Sequence, residues 1–331
     1  MGPMLRVYDK PGTWFPPRDM PLPVGTDLQF VERPAQADWI VIPMLRPVFP
    51  LLMRYPGKRF LLYTNEPRDS LTSRPRIRVV PFLPPIEIMN AFTGDVFWHN
   101  LHFLGSYHVT RRIDLGLRLD APLPLLTRGD LPDKSRPPVA AIFTNRGHRR
   151  GGAKIKGPGR NLEPVRSSYA LALHAAGLCD VYGADWPPGV SRENSGFSGG
   201  LDGNAPWWIR KLELLAGYRF NLCPENTIAP YYCTEKIWHA IQAGPLPIYS
   251  GANTIYETFP RHSFVDLADF PTPAKLIDFL RSMPEDDYLC RVNACREVFN
   301  RSIAERAKGI AAESRRHLEN VLRRLGMITS K

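Results

Sequence analysis

The chain has 331 residues, a formal net charge of +11, 44% hydrophobic residues and 23% charged ones. That length exceeds what one hydrophobic core usually fills and points to two domains, while the composition excludes a disordered chain. The positive balance suggests an anionic partner (nucleic acid, a lipid surface or a nucleotide-activated substrate) and does not choose among them. Cys179, Cys223, Cys233, Cys290 and Cys295 form no C-x-x-C pair and read as reduced cysteines, mostly in the core. No apolar h-region opens the chain, and no run nears the roughly 18 apolar residues of a spanning helix. The expectation for the chain as given is a soluble, cytoplasmic protein.

In chain order, the first third reads as short strands joined by proline-rich connections: Leu5–Asp9, Leu28–Glu32, Asp38–Leu45, Arg59–Thr64 and Arg76–Phe82. Several are almost continuously apolar, as in a parallel sheet covered on both faces. Between Thr127 and Pro138 the composition turns polar and periodicity is lost, which places a domain boundary there. A second series starts with a strand at Val139–Asn145, a helix at Val165–Gly177 and a strand at Cys179–Asp185. It continues through a Gly/Ser-rich loop, a helix around Trp207–Ala216, a strand at Tyr218–Cys223 and a helix from Thr234 to Ala243. Thr234 suits an N-cap and Gly244 a helix C′ position. Strands at Pro245–Gly251 and Ser263–Leu267 precede a helix entered at Thr272. Ile303, Ala307, Ile310, Ser314, Leu318, Val321, Leu322 and Leu325 then recur at helical spacing. The expectation is α/β, with domains at 1–130 and 131–290 and a helical tail at 291–331. Packing across both domains is the main role expected of the basic tail, with contact to anionic lipid as a lesser one.

The densest chemistry lies in FNLCPENTIAPYYCTEKIWHAIQAGPLPIYSG, Phe220–Gly251. Glu225 and Asn226 stand at the carboxyl end of a strand, where open α/β sheets bind ligands. Glu235 and Lys236 open the next helix. A cation is misplaced in a first turn unless an anion sits against it. One reading is an anion and hydroxyl site; the other is a capping box with incidental charges, and the residues leave both open. Arg166 starts a strongly periodic helix, so its side chain should be held in place and able to reach a cleft. Glu66, just past a strand in "YTNEPRD", is either a general base or a turn residue before Pro67.

Other features carry less. The loop Asn145–Arg160 holds Arg146, Arg149, Arg150, Lys154, Lys156 and Arg160 with no acidic residue; solvated residues suit most of it better than phosphate contacts. Gly196-Phe-Ser198-Gly-Gly200 matches G-x-S-x-G but lacks the strand and helix of a nucleophile elbow. His99 and His102 lack further ligands at metal-site spacing, so no metal is expected there. Basic patches occur without a nucleic-acid-binding motif.

Taken together, these residues resemble glycosyltransferase family 10, the α-1,3/1,4-fucosyltransferases. The block runs Tyr218-Arg-Phe-Asn-Leu-Cys-Pro-Glu225-Asn226-Thr227, Tyr232-Cys-Thr234-Glu235-Lys236, Ala243-Gly244-Pro-Leu-Pro247-Ile248 and Ser263-Phe264-Val265-Asp-Leu-Ala-Asp269-Phe270. "VRSSYALAL…CDVYG" and "YTNEPRD" are similar to two further family segments. Pro224 departs from the aromatic usual before Glu-Asn. The resemblance implies a GT-B fold of two facing Rossmann-like domains. It also implies inverting transfer of L-fucose from GDP-fucose to a hydroxyl of an acceptor glycan. In that reading Glu66 is the catalytic base, Arg166 and Lys236 meet the diphosphate, and Asn226, Tyr232 and Glu235 bind ribose or fucose hydroxyls, with Glu225 orienting the loop. No cofactor is required and a divalent metal is at most stimulatory. The partners are GDP-fucose and an oligosaccharide or glycoconjugate, not nucleic acid. A GT-B transferase using another nucleotide sugar, exostosin-like, and a non-catalytic sugar- or nucleic-acid-binding protein are the alternatives.

Overall fold

The computed structural model describes residues 4–11, 15–24, 26–45, 48–67, 72–104, 122–132, 136–146, 160–193 and 207–327. Arg149, Arg150, Lys154 and Lys156 of the basic loop, and Gly196–Gly200, lie outside the described residues. The chain forms two compact units, one of Met1–Trp98, Ile155–Arg160 and Lys308–Lys331, the other of His99–Lys154 and Asn161–Ala307.

The first unit holds β1 (Leu5–Asp9), α1 (Pro16–Asp19), β2 (Leu28–Phe30), β3 (Trp39–Ile42), α2 (Val48–Arg54), β4 (Arg59–Tyr63), β5 (Arg76–Ile77) and β6 (Ile86–Met89). Its sheet runs β2-β1-β3-β4-β6-β5, parallel except for antiparallel β5 at the edge. β3 and β6 are buried at every residue, and β4 from Phe60 onward, as the apolar runs require of strands covered on both faces. The strand expected over Arg76–Phe82 is confined to its first two residues. Arg78 instead donates to the carbonyls of Pro81 and Leu83, closing a turn. The inner strand is β6, whose apolar pattern is broken by Glu87 and preceded by Pro84-Pro85. Glu87 is buried against Arg76 and Arg324, which lets a carboxylate occupy a sheet interior.

The second unit contains β7 (Val139–Ile142), β8 (Arg160–Asn161), which leads into α3 (Glu163–Ala175), then β9 (Cys179–Tyr182), β10 (Ser191–Glu193) and α4 (Trp207–Leu215). β11 (Phe220–Leu222), β12 (Thr227–Ile228), α5 (Glu235–Ala243), β13 (Leu246–Tyr249), β14 (Val265–Asp266) and α6 (Pro273–Ser282) follow. The six-stranded sheet is ordered β10-β9-β7-β11-β13-β14, every pair parallel. In sequence order that is 3-2-1-4-5-6, the doubly wound arrangement that reverses direction between its first and fourth strands. The α/β expectation is therefore met in both units.

The last element, α7 (Glu285–Arg324), is one 40-residue helix, longer at its start than the periodicity after Asn300 suggests. Tyr288, Val292, Cys295, Val298 and Phe299 belong to the second unit's core. From Lys308 on it counts with the first unit, where His317 Nε2 lies 2.8 Å from the Tyr63 hydroxyl. Cys179, Cys223, Cys233 and Cys295 are buried, Cys290 is exposed, and all five are free thiols.

Candidate active site

A cavity of about 140 Å³ opens where the second sheet reverses direction. Ile142, Phe143 and Thr144 at the exit of β7, and Asn221 to Pro224 at the exit of β11, form one part of its lining. Those are the strands flanking the switch point, where doubly wound sheets leave a crevice because adjoining helices diverge to opposite faces. Gly183, just past β9, also lines it with φ +116°; a Cβ there would sit 2.5 Å from the Phe143 carbonyl oxygen. Only glycine lets these two chain segments leave the sheet side by side.

Beneath the cavity lies Glu225, fully buried. Its backbone N–H donates to Ser250 O at 2.9 Å and that of Cys223 to Ile248 O at 2.9 Å. Pro224, which has no N–H, sits between these two bonds and costs the register nothing. The Glu225 carboxylate accepts from Thr234 N (2.7 Å), from the Thr234 hydroxyl (2.9 and 2.8 Å to its two oxygens), from the Tyr249 hydroxyl (3.2 Å) and from Lys236 Nζ (3.1 Å). Lys236 Nζ also donates to Thr234 Oγ1 at 2.7 Å. Thr234 is the N-cap of α5, but its side chain makes no capping bond because Glu225 and Lys236 engage it. The capping-box reading is thus replaced by a buried carboxylate that ties β11, α5 and β13 together. Gly244 ends the helix in the left-handed region, φ +115°, as expected.

Lys236 in the first turn of α5 has counter-charges within the protein. Glu225 lies at 3.1 Å and Glu235 at 3.7 Å. Burial pulls the Lys236 pKa down, but the two carboxylates outweigh it and hold the ammonium above its usual value. Burial raises the Glu225 pKa, against Lys236. Glu235 is pulled up by burial, yet Lys236, Lys211 and His239 bring it down to about 2. The site therefore presents a fixed, ionised Glu235 and a charged Lys236 at the cavity wall.

Arg166, in the first turn of α3, is 4% exposed. Its guanidinium donates to Asn226 Oδ1, lies 3.8 Å from Glu163 and stacks 4.6 Å from the centre of the Phe143 ring. Asn226 in turn accepts at its carbonyl from Leu162 N at 2.9 Å, joining the start of α3 to the end of β11.

The structure thus gathers Arg166, Glu235 and Lys236 on the cavity wall, with Glu225 below and Asn226 held by Arg166. Tyr232 lies outside that lining; it is 2% exposed, with its ring edge-on to Phe103 at 6.1 Å. Glu66 belongs to the first unit, beyond the carboxyl end of β4, exposed, its N–H donating to Thr64 Oγ1 at 3.1 Å. Trp207 and Lys211 of α4 also line the cavity, and sequence reasoning passed over both. The available signal was a lysine on the stripe Trp207, Lys211, Leu215, four residues apart, where an amphipathic helix faces its core.

Parts of the chain are similar to known proteins. Residues 208–292 match the family model "Glycosyltransferase family 10 (fucosyltransferase) C-term". An α-(1,4)-fucosyltransferase of Arabidopsis thaliana is 28% identical over 36% of this chain and 28% of its own length. A GDP-fucose protein O-fucosyltransferase 3 of Bos taurus is 33% identical over 37% of this chain and 25% of its own. The matched segment thus spans under a third of either relative. A crystal structure of an α1,3-fucosyltransferase aligns over 88% of this chain and 81% of that one, at 17% identity and a TM-score of 0.48. Among the described residues no helix is long and apolar enough to cross a membrane.

Proposed function

We propose that this chain, through the region that matches family 10, transfers L-fucose from GDP-fucose to an acceptor hydroxyl with inversion at the anomeric carbon. The observation that carries the reading is the cavity at the switch point of a 3-2-1-4-5-6 sheet, with Lys236, inside the matched region, and Arg166, which precedes that region, on its wall. Such a crevice takes nucleotides, and the helix dipole at the start of α5 favours an anion there.

The chemistry follows from the charges. As the acceptor oxygen bonds to the anomeric carbon, the bond to the β-phosphate oxygen breaks and negative charge grows on GDP. Arg166 and Lys236 meet that charge from fixed positions, so little reorganisation is needed during the reaction. Glu235, ionised, accepts hydrogen bonds from sugar hydroxyls; Asn226 serves ribose or fucose, and Glu225 holds the loop. Glu66 takes the proton of the attacking hydroxyl. No cofactor is assigned, and a divalent metal is at most stimulatory. The acceptor is a glycan hydroxyl. A protein hydroxyl is the second reading, favoured by the protein O-fucosyltransferase 3 match.

A thermal-shift panel of GDP-fucose, GDP-mannose, UDP-sugars and oligonucleotides tests the donor. Stabilisation by GDP-fucose alone supports the reading, and stabilisation by a UDP-sugar instead overturns it. Glu66→Gln should keep GDP affinity and lose roughly 10²–10⁴-fold in transfer. If GDP binding is lost while transfer per bound donor persists, Glu66 is not the base.

A further inference from the structure

Lys211 has no part in the assignment above, yet its side chain is the most exceptional in the cavity wall. It is 6% exposed, on the face of α4 that also carries Trp207 and the fully buried Leu215. Among the described residues no carboxylate lies within 4.0 Å of its ammonium, the nearby Glu225 and Glu235 being paired with Lys236. A lysine at a core position is costly unless its ammonium meets an anion, and an apolar residue would serve the packing of α4 better. The nearby charges do not resolve this. Glu235 attracts it, while Lys236 repels it and Glu225 is already engaged by Thr234, Tyr249 and Lys236. Burial, the largest influence, lowers the Lys211 pKa against the pull of Glu235. The cavity it lines is the one whose wall carries Arg166, Lys236 and the N-terminus of α5.

We propose that Lys211 is a third cationic ligand of the donor's diphosphate, contributed by α4 alongside Arg166 from α3 and Lys236 from α5. The inference rests on the donor reading given above. It makes the site a convergence of three helices on one anion, and it explains why a lysine occupies a core position of α4. Lys211 acts as a point donor of charged hydrogen bonds, without the planar fork that Arg166 offers.

Isothermal calorimetry on the full chain with GDP, inorganic pyrophosphate and guanosine tests it. Lys211→Met should weaken GDP and pyrophosphate by about ten- to a hundredfold, the loss of one charge-assisted hydrogen bond, and leave guanosine unchanged. Lys211→Gln, which keeps a polar group in the cavity, should show the same loss and serves if the methionine variant does not fold; circular dichroism checks both. Wild-type affinity for GDP and pyrophosphate in a folded variant overturns the inference alone, leaving Lys211 a structural cation. A wild-type chain that binds neither GDP nor GDP-fucose overturns the donor reading, and this inference with it.

Discussion

The two units share an architecture and use their charges differently. Both sheets are doubly wound, 2-1-3-4 with further strands in the first unit and 3-2-1-4-5-6 in the second. In the first unit arginines are spent on nearby carboxylates: Arg6 on Asp38, Arg18 on Asp9, Arg76 on Glu87, and Arg324 on Asp95 and Glu87. The second unit has such pairs too, among them Arg192 with Asp180 and Arg291 with Asp287, but there Arg166, Lys211 and Lys236 also come from three different helices to one cavity, and the carboxylates near them, Glu225 and Glu235, are bound into the same network. The fold supplies a crevice, but function depends on which side chains the strand ends and helix starts deliver to it.

That contrast can be broken by substitution. The largest effect is expected of Arg166→Ala, which removes a cation from the cavity and the donor that holds Asn226. Turnover should fall about 10²–10³-fold with the helical signal retained, measured by steady-state kinetics and circular dichroism. Turnover within twofold of wild type would place the diphosphate elsewhere. An intermediate effect belongs to Glu235→Gln and depends on pH. The Glu235 pKa lies at about 2 when folded, below its ordinary value, so its ionisation stabilises the fold above about pH 4.5 and that contribution is lost as pH falls toward 2. The stability gap between wild type and Glu235→Gln should be roughly 3 kcal/mol near pH 6 and close toward pH 2. Urea unfolding across that range reads it, and a gap constant with pH would contradict the depressed pKa. The smallest effect is expected in the first unit. Arg324, 23% exposed, pairs with Asp95 at 2.9 Å and Glu87 at 3.4 Å. Arg324→Ala should cost about 1 kcal/mol and leave GDP affinity unchanged. A weakened GDP affinity would erase the distinction between the two units.

Much of the second unit was legible because its signals are local. The apolar run ending at Cys223, the polar loop, Thr234 as N-cap and Gly244 as C′ residue each announce a boundary within a few residues, and the structure places all of them there. Where three-dimensional neighbours decide, the sequence was silent. β6 was passed over because Glu87 interrupts its apolar pattern, and only its pairing with Arg76 and Arg324 makes that carboxylate acceptable inside. Lys211 shows only its place on the stripe with Trp207 and Leu215, and its burial follows only once α4 is docked. The argument that Lys236 needs an outside anion was incomplete for the same reason. Glu225, eleven residues earlier, is its first counter-charge, and that proximity exists only once the loop closes.

The Glu225 carboxylate also bears on how the chain acquires its structure in time. Its partners are Thr234, Lys236 and Tyr249, none more than 24 positions away. The Tyr63–His317 contact, by comparison, spans 254 positions. Closing short loops costs little entropy and favours rapid assembly, whereas long closures come late. On a ribosome, the frame of the cavity has all its parts once β13 emerges, while the first unit waits for the final turns of α7.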